Sequence, residues 1–243
     1  MGKLTVITSG KGGAGKSTFS VGLASALNKK NKRVLLIDCD EGLRCLDLML
    51  GVSDRLVFDL SDILNNGKSV EEVALLVNEN ISLIAAPAGV NSYNRAAFGK
   101  FLLKTVDMYD HIIVDCPAGI DKAFYSALPS FAVVLVVETL DAIGCRSASI
   151  LDDLLFDSGI EDRYLIINKF DYFYLKAKKM ISLDDIVDRS GLKIKGIVPF
   201  DIELSHLSAM GCLYNESDAF DAYLRIADRL SGIDIPLPKL KNL

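Results

Sequence analysis

Leu4-Thr5-Val6-Ile7-Thr8-Ser9-Gly10-Lys11-Gly12-Gly13-Ala14-Gly15-Lys16-Ser17-Thr18 is the stretch that decides the fold. A short apolar strand runs into a glycine-rich loop, and residues 17–30 then follow with helical periodicity. Gly10 to Ser17 fit the spacing G-x-x-x-x-G-K-[S/T] in the strand–loop–helix context that gives it meaning. Without side chains in the way, the backbone of Gly10, Gly12, Gly13, Ala14 and Gly15 can turn its N–H groups toward an anion, and the helix start adds a favourable dipole. In this pattern Lys16 reaches the β- and γ-phosphates, the Ser17 hydroxyl takes a Mg²⁺ position and Thr18 donates to the α-phosphate. A chance glycine loop would lack the flanking strand and helix.

Outward from this loop, short β-branched runs alternate with amphipathic stretches. Strands read at 4–8, 34–38, 81–85, 111–116, 132–138, 164–168 and 194–198, nearly all continuous apolar runs, as expected of strands buried on both faces. Helices read at 17–30, about 91–108, 146–157 and as a pair within 205–230. Ser69-x-x-Glu72 and Ser182-x-x-Asp185 mark two further helix starts, the second in the weaker aspartate form. The pattern predicts one α/β domain of P-loop NTPase type over 1–243, with a mostly parallel twisted sheet and helices on both faces. Pro236 and Pro238 forbid a continuous helix through 233–243, so that tail reads as flexible.

Composition narrows the function. The net charge is −5, which disfavours a protein living on nucleic-acid phosphates. Basic residues do cluster at Lys29, Lys30, Lys32 and Arg33, and at Lys176, Lys178 and Lys179, where they read as solvated helix ends. Mean hydropathy is +0.30. The longest apolar run, from Phe131 to Val137, is far short of the ~20 residues a membrane helix needs. No signal peptide precedes the first strand, so a cytoplasmic location is expected. The five cysteines form no CxxC or CxC pair and read as free thiols in a reducing compartment.

Three carboxylates stand at strand ends. Asp38 and Asp40, at i and i+2, share one face at the C-terminal edge of the second strand, where doubly wound sheets bind ligands. Asp115 ends Ile112-Ile113-Val114 and opens Asp115-Cys116-Pro117-Ala118-Gly119. It occupies the position of a Mg²⁺-ligating acid, and Gly119, lacking a Cβ, can bring its N–H to the γ-phosphate. A nucleophilic role for Cys116 has no base at an interpretable distance.

Lys11, a second lysine near the start of the loop, is the mark of the deviant Walker A ATPases, and the chain resembles their MinD/ParA family from residue 3 to about 230. The segment Val34 to Leu48 resembles the family's first switch region, and Asp115 to Gly119 its second, with Cys116 in place of a serine. The resemblance implies an ATP- and Mg²⁺-dependent ATPase that dimerises, with Lys11 reaching across the homodimer to the partner's nucleotide. It implies that Asp40 polarises the attacking water and that Asp38 supports Mg²⁺ through water. It places Asn168 and Lys169 at the adenine edge, beside the loop Pro199-Phe200-Asp201. It further implies a protein partner not identifiable from sequence, and a role in division-site placement or other intracellular positioning. A ParA-type DNA partitioner and a metallochaperone or iron–sulfur carrier are the alternatives. The composition does not favour the basic face the first needs, and the second lacks paired thiols. Two departures stand out. The tail is a poor match to the basic amphipathic helix that anchors MinD-type relatives to membrane, so peripheral membrane contact is weakly supported. Arg146-Ser147 replaces the usual Arg-Asp, whose carboxylate holds the extra lysine at rest, so Lys11 is expected to be freer.

Overall fold

The structure is a computed structural model that describes residues 2–89 and 92–242. Its strands are β1 (Lys3–Thr8), β2 (Val34–Asp38), β3 (Leu75–Leu76), β4 (Ile81–Ile84), β5 (His111–Asp115), β6 (Val133–Glu138), β7 (Arg163–Phe170) and β8 (Lys193–Pro199). They form one sheet in the order β3-β4-β2-β5-β1-β6-β7-β8. Every pairing is parallel except β3 with β4. The helices are α1 (Lys16–Lys29), α2 (Cys45–Met49), α3 (Leu60–Leu64), α4 (Val70–Val73), α5 (Arg95–Thr105), α6 (Lys122–Ser126), α7 (Ala142–Asp157), α8 (Tyr172–Lys176), α9 (Leu183–Ser190), α10 (Ile202–Ala209) and α11 (Asp218–Leu230).

The all-buried strands β2, β4 and β5 separate two apolar layers. Alternate side chains of each strand enter opposite layers, as the two-residue period requires. On one face α1 and α11 pack together, with Phe19 edge-on to Tyr223 at 5.5 Å. On the other, α5, α7 and α9 supply Phe98, Leu151 and Ile186. Helix α1 lies close under α11 because residue 22 is glycine: a Cβ there would stand 2.3 Å from the Tyr223 ring.

The seven anticipated strands are present, and the structure adds β3, a two-residue antiparallel edge too short to carry a period. Helix α7 begins at Ala142, four positions ahead of the expected 146, because Asp141 caps it by accepting from the Gly144 N–H. The expected start of α5, Asn91, lies outside the described residues; the described helix starts at Arg95 with Asn94 as cap. The Ser69–Glu72 capping box is reciprocal. At Ser182 only half forms: Ser182 accepts from the Asp185 N–H, while the shorter Asp185 carboxylate accepts a hydrogen bond from the serine hydroxyl. In the tail, Arg229 donates to the carbonyls of Ile235 and Pro236, and Leu240 packs on the core.

Candidate functional site

The C-terminal ends of β1, β2, β5, β6 and β7 meet at one edge of the sheet. Between β1 and α1 the loop 9–15 wraps back on itself, with Gly13 and Gly15 at φ +77° and +93°, backbone that side-chain-bearing residues rarely adopt. Lys16 opens α1 and is buried. Its ammonium acts on both Asp40 and Asp115, favouring their charged forms.

Asp38 and Asp115 are paired residues of neighbouring strands, both buried. Burial is the main force raising Asp38 to about 7, with the Asp115 charge next, against the N–H groups of Leu46 and Asp40. These two N–H groups donate to Asp38 at 3.1 and 2.9 Å, so Asp38 ties down the start of α2 as well as facing the site. Burial likewise raises Asp115 to about 6, opposed by the hydroxyls of Ser17 and Ser20. Ser20 donates to its Oδ1 at 2.9 Å, while Oδ2 has no hydrogen-bond partner. A buried, half-satisfied carboxylate beside the Ser17 hydroxyl suits a hard cation taking oxygen ligands. Among the described residues, no three His, Cys, Asp or Glu side chains cluster as a metal site. Half-buried Asp40 is also raised, by burial, with Lys16 opposing.

Gly119 is at φ +116°, and its N–H donates to the Ser9 carbonyl at 3.1 Å. The donor anticipated for a γ-phosphate is therefore engaged with the loop itself in this state. Arg95 links the two acid-bearing segments, 3.6 Å from Glu41 and 3.3 Å from Asp121. Cys116 and Cys39 are buried, and burial pushes both thiols well up, which disfavours the thiolate a nucleophilic Cys116 would need. All five cysteines are free.

On the other side of the loop, Gly15, Thr18, Asn168, Lys169, Phe200 and Asp201 line one cavity, with Pro199 in its wall. The residues anticipated around adenine are thus brought together. Asn168 donates to the Ala14 carbonyl and Lys169 to that of Gly13, both at 2.8 Å, so this wall also fixes the shape of the loop. Phe200 is exposed, offering a free aromatic face.

Lys11 departs from expectation. It is held, although residue 147 is serine: its Nζ donates to Asp141 Oδ2 and Thr139 Oγ1, each at 2.6 Å. Burial acts to raise Asp141, but the bond from Lys11, with Thr139 and the Gly144 N–H, wins and brings it to about 2. Ser147 has another task. Its hydroxyl donates to Glu138 and accepts from the Gly10 N–H at 2.9 Å. Glu138, fully buried at the end of β6, also takes the Ser9 hydroxyl at 3.0 Å. Thr139, Asp141, Glu138 and Ser20 were missed in the sequence. The available signal was Glu138-x-x-Asp141 closing an apolar strand beside β1, the same edge signature that exposed Asp38 and Asp115.

Residues 5–212 match the model of the CobQ/CobB/MinD/ParA nucleotide binding domain. The chain belongs to the MinD/ParA family. It is 33% identical to the septum site-determining protein MinD of Synechocystis, over 97% of this chain and 92% of that one. Identity to MinD of Bacillus subtilis is also 33%, over 100% and 94%. Among solved structures, the MinC:MinD cell division protein complex of Aquifex aeolicus superposes with a TM-score of 0.87 at 33% identity, covering 98% of this chain and 99% of that chain. As a member of the MinD/ParA family, the protein is a P-loop ATPase. Among the described residues, no helix is long and apolar enough to cross a membrane.

Proposed function

We propose that the protein is a Mg²⁺-dependent ATPase switch of the MinD type, which dimerises with ATP bound, engages a protein partner in that state and is reset by hydrolysis. The carrying observation is the latch on Lys11. This lysine stands in the phosphate loop, yet it is drawn aside onto Asp141 and Thr139 at 2.6 Å. Released from them, it would reach the nucleotide of a second copy.

Within one subunit, Lys16 and the amides of Gly10 to Gly15 hold the phosphates, with Thr18 at the α-phosphate. Ser17 and Asp115 would hold the Mg²⁺, with Asp38 behind them. A Mg²⁺ bound there would offset the negative charge of the phosphates. Asp40, half-buried and beside Lys16, orients the attacking water. Gly119 leaves Ser9 and turns its N–H to the γ-phosphate. Asn168, Lys169, Pro199, Phe200 and Asp201 receive the base. The Aquifex relative is in complex with MinC, which supports a protein partner of that kind here and a place in positioning cell division. The protein works in the cytoplasm, with at most weak contact at the membrane's inner face. A net charge of −5 argues against a nucleic-acid partner.

Light scattering against nucleotide tests the reading. Asp40→Ala, with ATP and Mg²⁺, is expected to bind ATP and accumulate as a dimer. Lys11→Ala is expected to bind ATP, stay monomeric and hydrolyse on the order of 10³-fold more slowly, as for a charge supplied in trans. Wild-type turnover by Lys11→Ala would refute the role of this lysine.

A further inference from the structure

The opposite end of the sheet carries a second polar cavity. It opens where β1, β2 and β5 begin, and Lys3, Lys32, Arg33, Asp107, Asp110 and His111 line it. His111 is the β5 residue paired with both Lys3 and Val34. From His111 to Asp115 the strand spans roughly 13 Å at about 3.3 Å per residue, so this cavity is separate from the nucleotide edge.

Its charges are unevenly matched. Arg33 and Asp110 engage each other, through the Arg33 N–H at 2.8 Å and the guanidinium Nε at 3.9 Å. Asp107 is engaged as well. Lys3 donates to the neutral carbonyl of Leu230 at 2.6 Å. Among the described residues, neither Lys3 nor Lys32 is ion-paired with a carboxylate. His111 is 3% exposed, and its Nδ1 has no hydrogen-bond partner. Burial, then Lys3, and also Lys32 push its ring down to about 4 against the pull of Asp110. Two lysines from different elements, one on β1 and one on the turn before β2, therefore act on the same buried imidazole.

We propose that this cavity binds a small soluble tetrahedral oxyanion of the phosphate class, held by Lys3 and Lys32 over His111. Charge-assisted bonds from ammonium groups to such an anion are short and strong. The anion would supply the counter-charge that the two lysines lack. Part of the basic cluster at 29–33, which reads in sequence as a solvated helix end, thereby becomes the wall of a site. The inference is independent of the switch mechanism.

The two histidines provide the test, since the ring signals of His111 and His206 can be followed together by NMR. Sulfate is the first probe, because it copies phosphate geometry and stays dianionic where His111 titrates. The protein is kept saturated with ADP, so that the phosphate loop is filled, and ionic strength is held constant. Saturating sulfate is expected to raise the pKa of His111 by about one pH unit, equivalent to tenfold preference for the protonated ring. His206 should stay unmoved. At pH 7.5, inorganic phosphate should shift the His111 signal saturably. Lys32→Gln, at an exposed position outside the nucleotide site, should keep the ATPase rate and lose both responses. Equal or non-saturating drift of the two histidines overturns the site, as does a full response in Lys32→Gln. A shift with phosphatidylglycerol vesicles but none with sulfate or phosphate would overturn the soluble ligand in favour of a lipid headgroup.

Discussion

Ser147 stands where the family resemblance leads one to expect a carboxylate, and its neighbours account for the serine. Its hydroxyl joins the Gly10 N–H to Glu138, whose Oε2 has no partner. Ser147→Asp would set a second carboxylate against a buried one. The cost is expected to be about 3 kcal/mol or more, as for an uncompensated buried charge, and Ser147→Ala about 1 kcal/mol. Urea unfolding measures both, and a fully stable Ser147→Asp would mean the Glu138 pocket relaxes. The resting hold on Lys11 belongs to Asp141, which makes Asp141→Asn the substitution that frees it. Asp141 titrates at about 2 in the fold against 3.8 ordinarily, so its stabilisation is full above pH 4 and lost as the pH falls toward 2. Because its side chain is 47% exposed, the contribution is at most ~1 kcal/mol. Asp141→Asn should be less stable than wild type at pH 5.5 and equal to it near pH 2. It should also dimerise at lower ATP concentration.

At the scale of elements, what was legible followed from period and caps. The central strands are continuous apolar runs, so their positions and parallel sense were readable, and the acids at their ends marked the nucleotide edge. β3 and the five-residue helices α2, α3, α6 and α8 were not readable, because one turn or one pair carries no periodicity and tertiary contacts hold such pieces in place. The latch escaped because its acid is also an ordinary helix cap: Asp141 accepts from Gly144 with one oxygen and from Lys11 with the other. A cap motif does not reveal what the second oxygen does. The contact of α1 with α11 offers the test at this scale. Gly22→Ala would drive a methyl into the Tyr223 ring, whose nearest atom is 2.3 Å from the ideal Cβ. Overpacking of this kind costs about 1–3 kcal/mol. Tyr223→Leu in the same chain should recover part of the loss, seen as non-additive unfolding energies; strict additivity would place the strain elsewhere.

Over the whole molecule the sheet is polarised. Asp38, Asp40 and Asp115 gather with the phosphate loop at the C-terminal ends of the strands, while Lys3, Lys32 and Arg33 gather at the N-terminal ends, near the end of α11. The tail leaves from that basic end. Arg229 holds it through the carbonyls of Ile235 and Pro236 at 2.8 Å each, and Leu240 rests on the apolar layer. These contacts lie at the far end of the sheet from the nucleotide, so removing residues 236–243 should leave ATP turnover and ATP-driven dimerisation unchanged. Stability should fall by about 1–2 kcal/mol, for one hydrogen bond to a charged donor and one partly buried leucine. In a domain of this size each kcal/mol lowers Tm by about 2–4 °C. Vesicle sedimentation completes the measurement. Lys239 and Lys241 each contribute only ~1 kcal/mol at an anionic surface, so the full chain is expected to sediment weakly, with or without ATP. Strong ATP-dependent sedimentation that the truncation abolishes would show that the tail leaves Arg229, with Leu240 lifting off the apolar layer, to enter the membrane in the dimer, and would replace the docked tail with a releasable anchor.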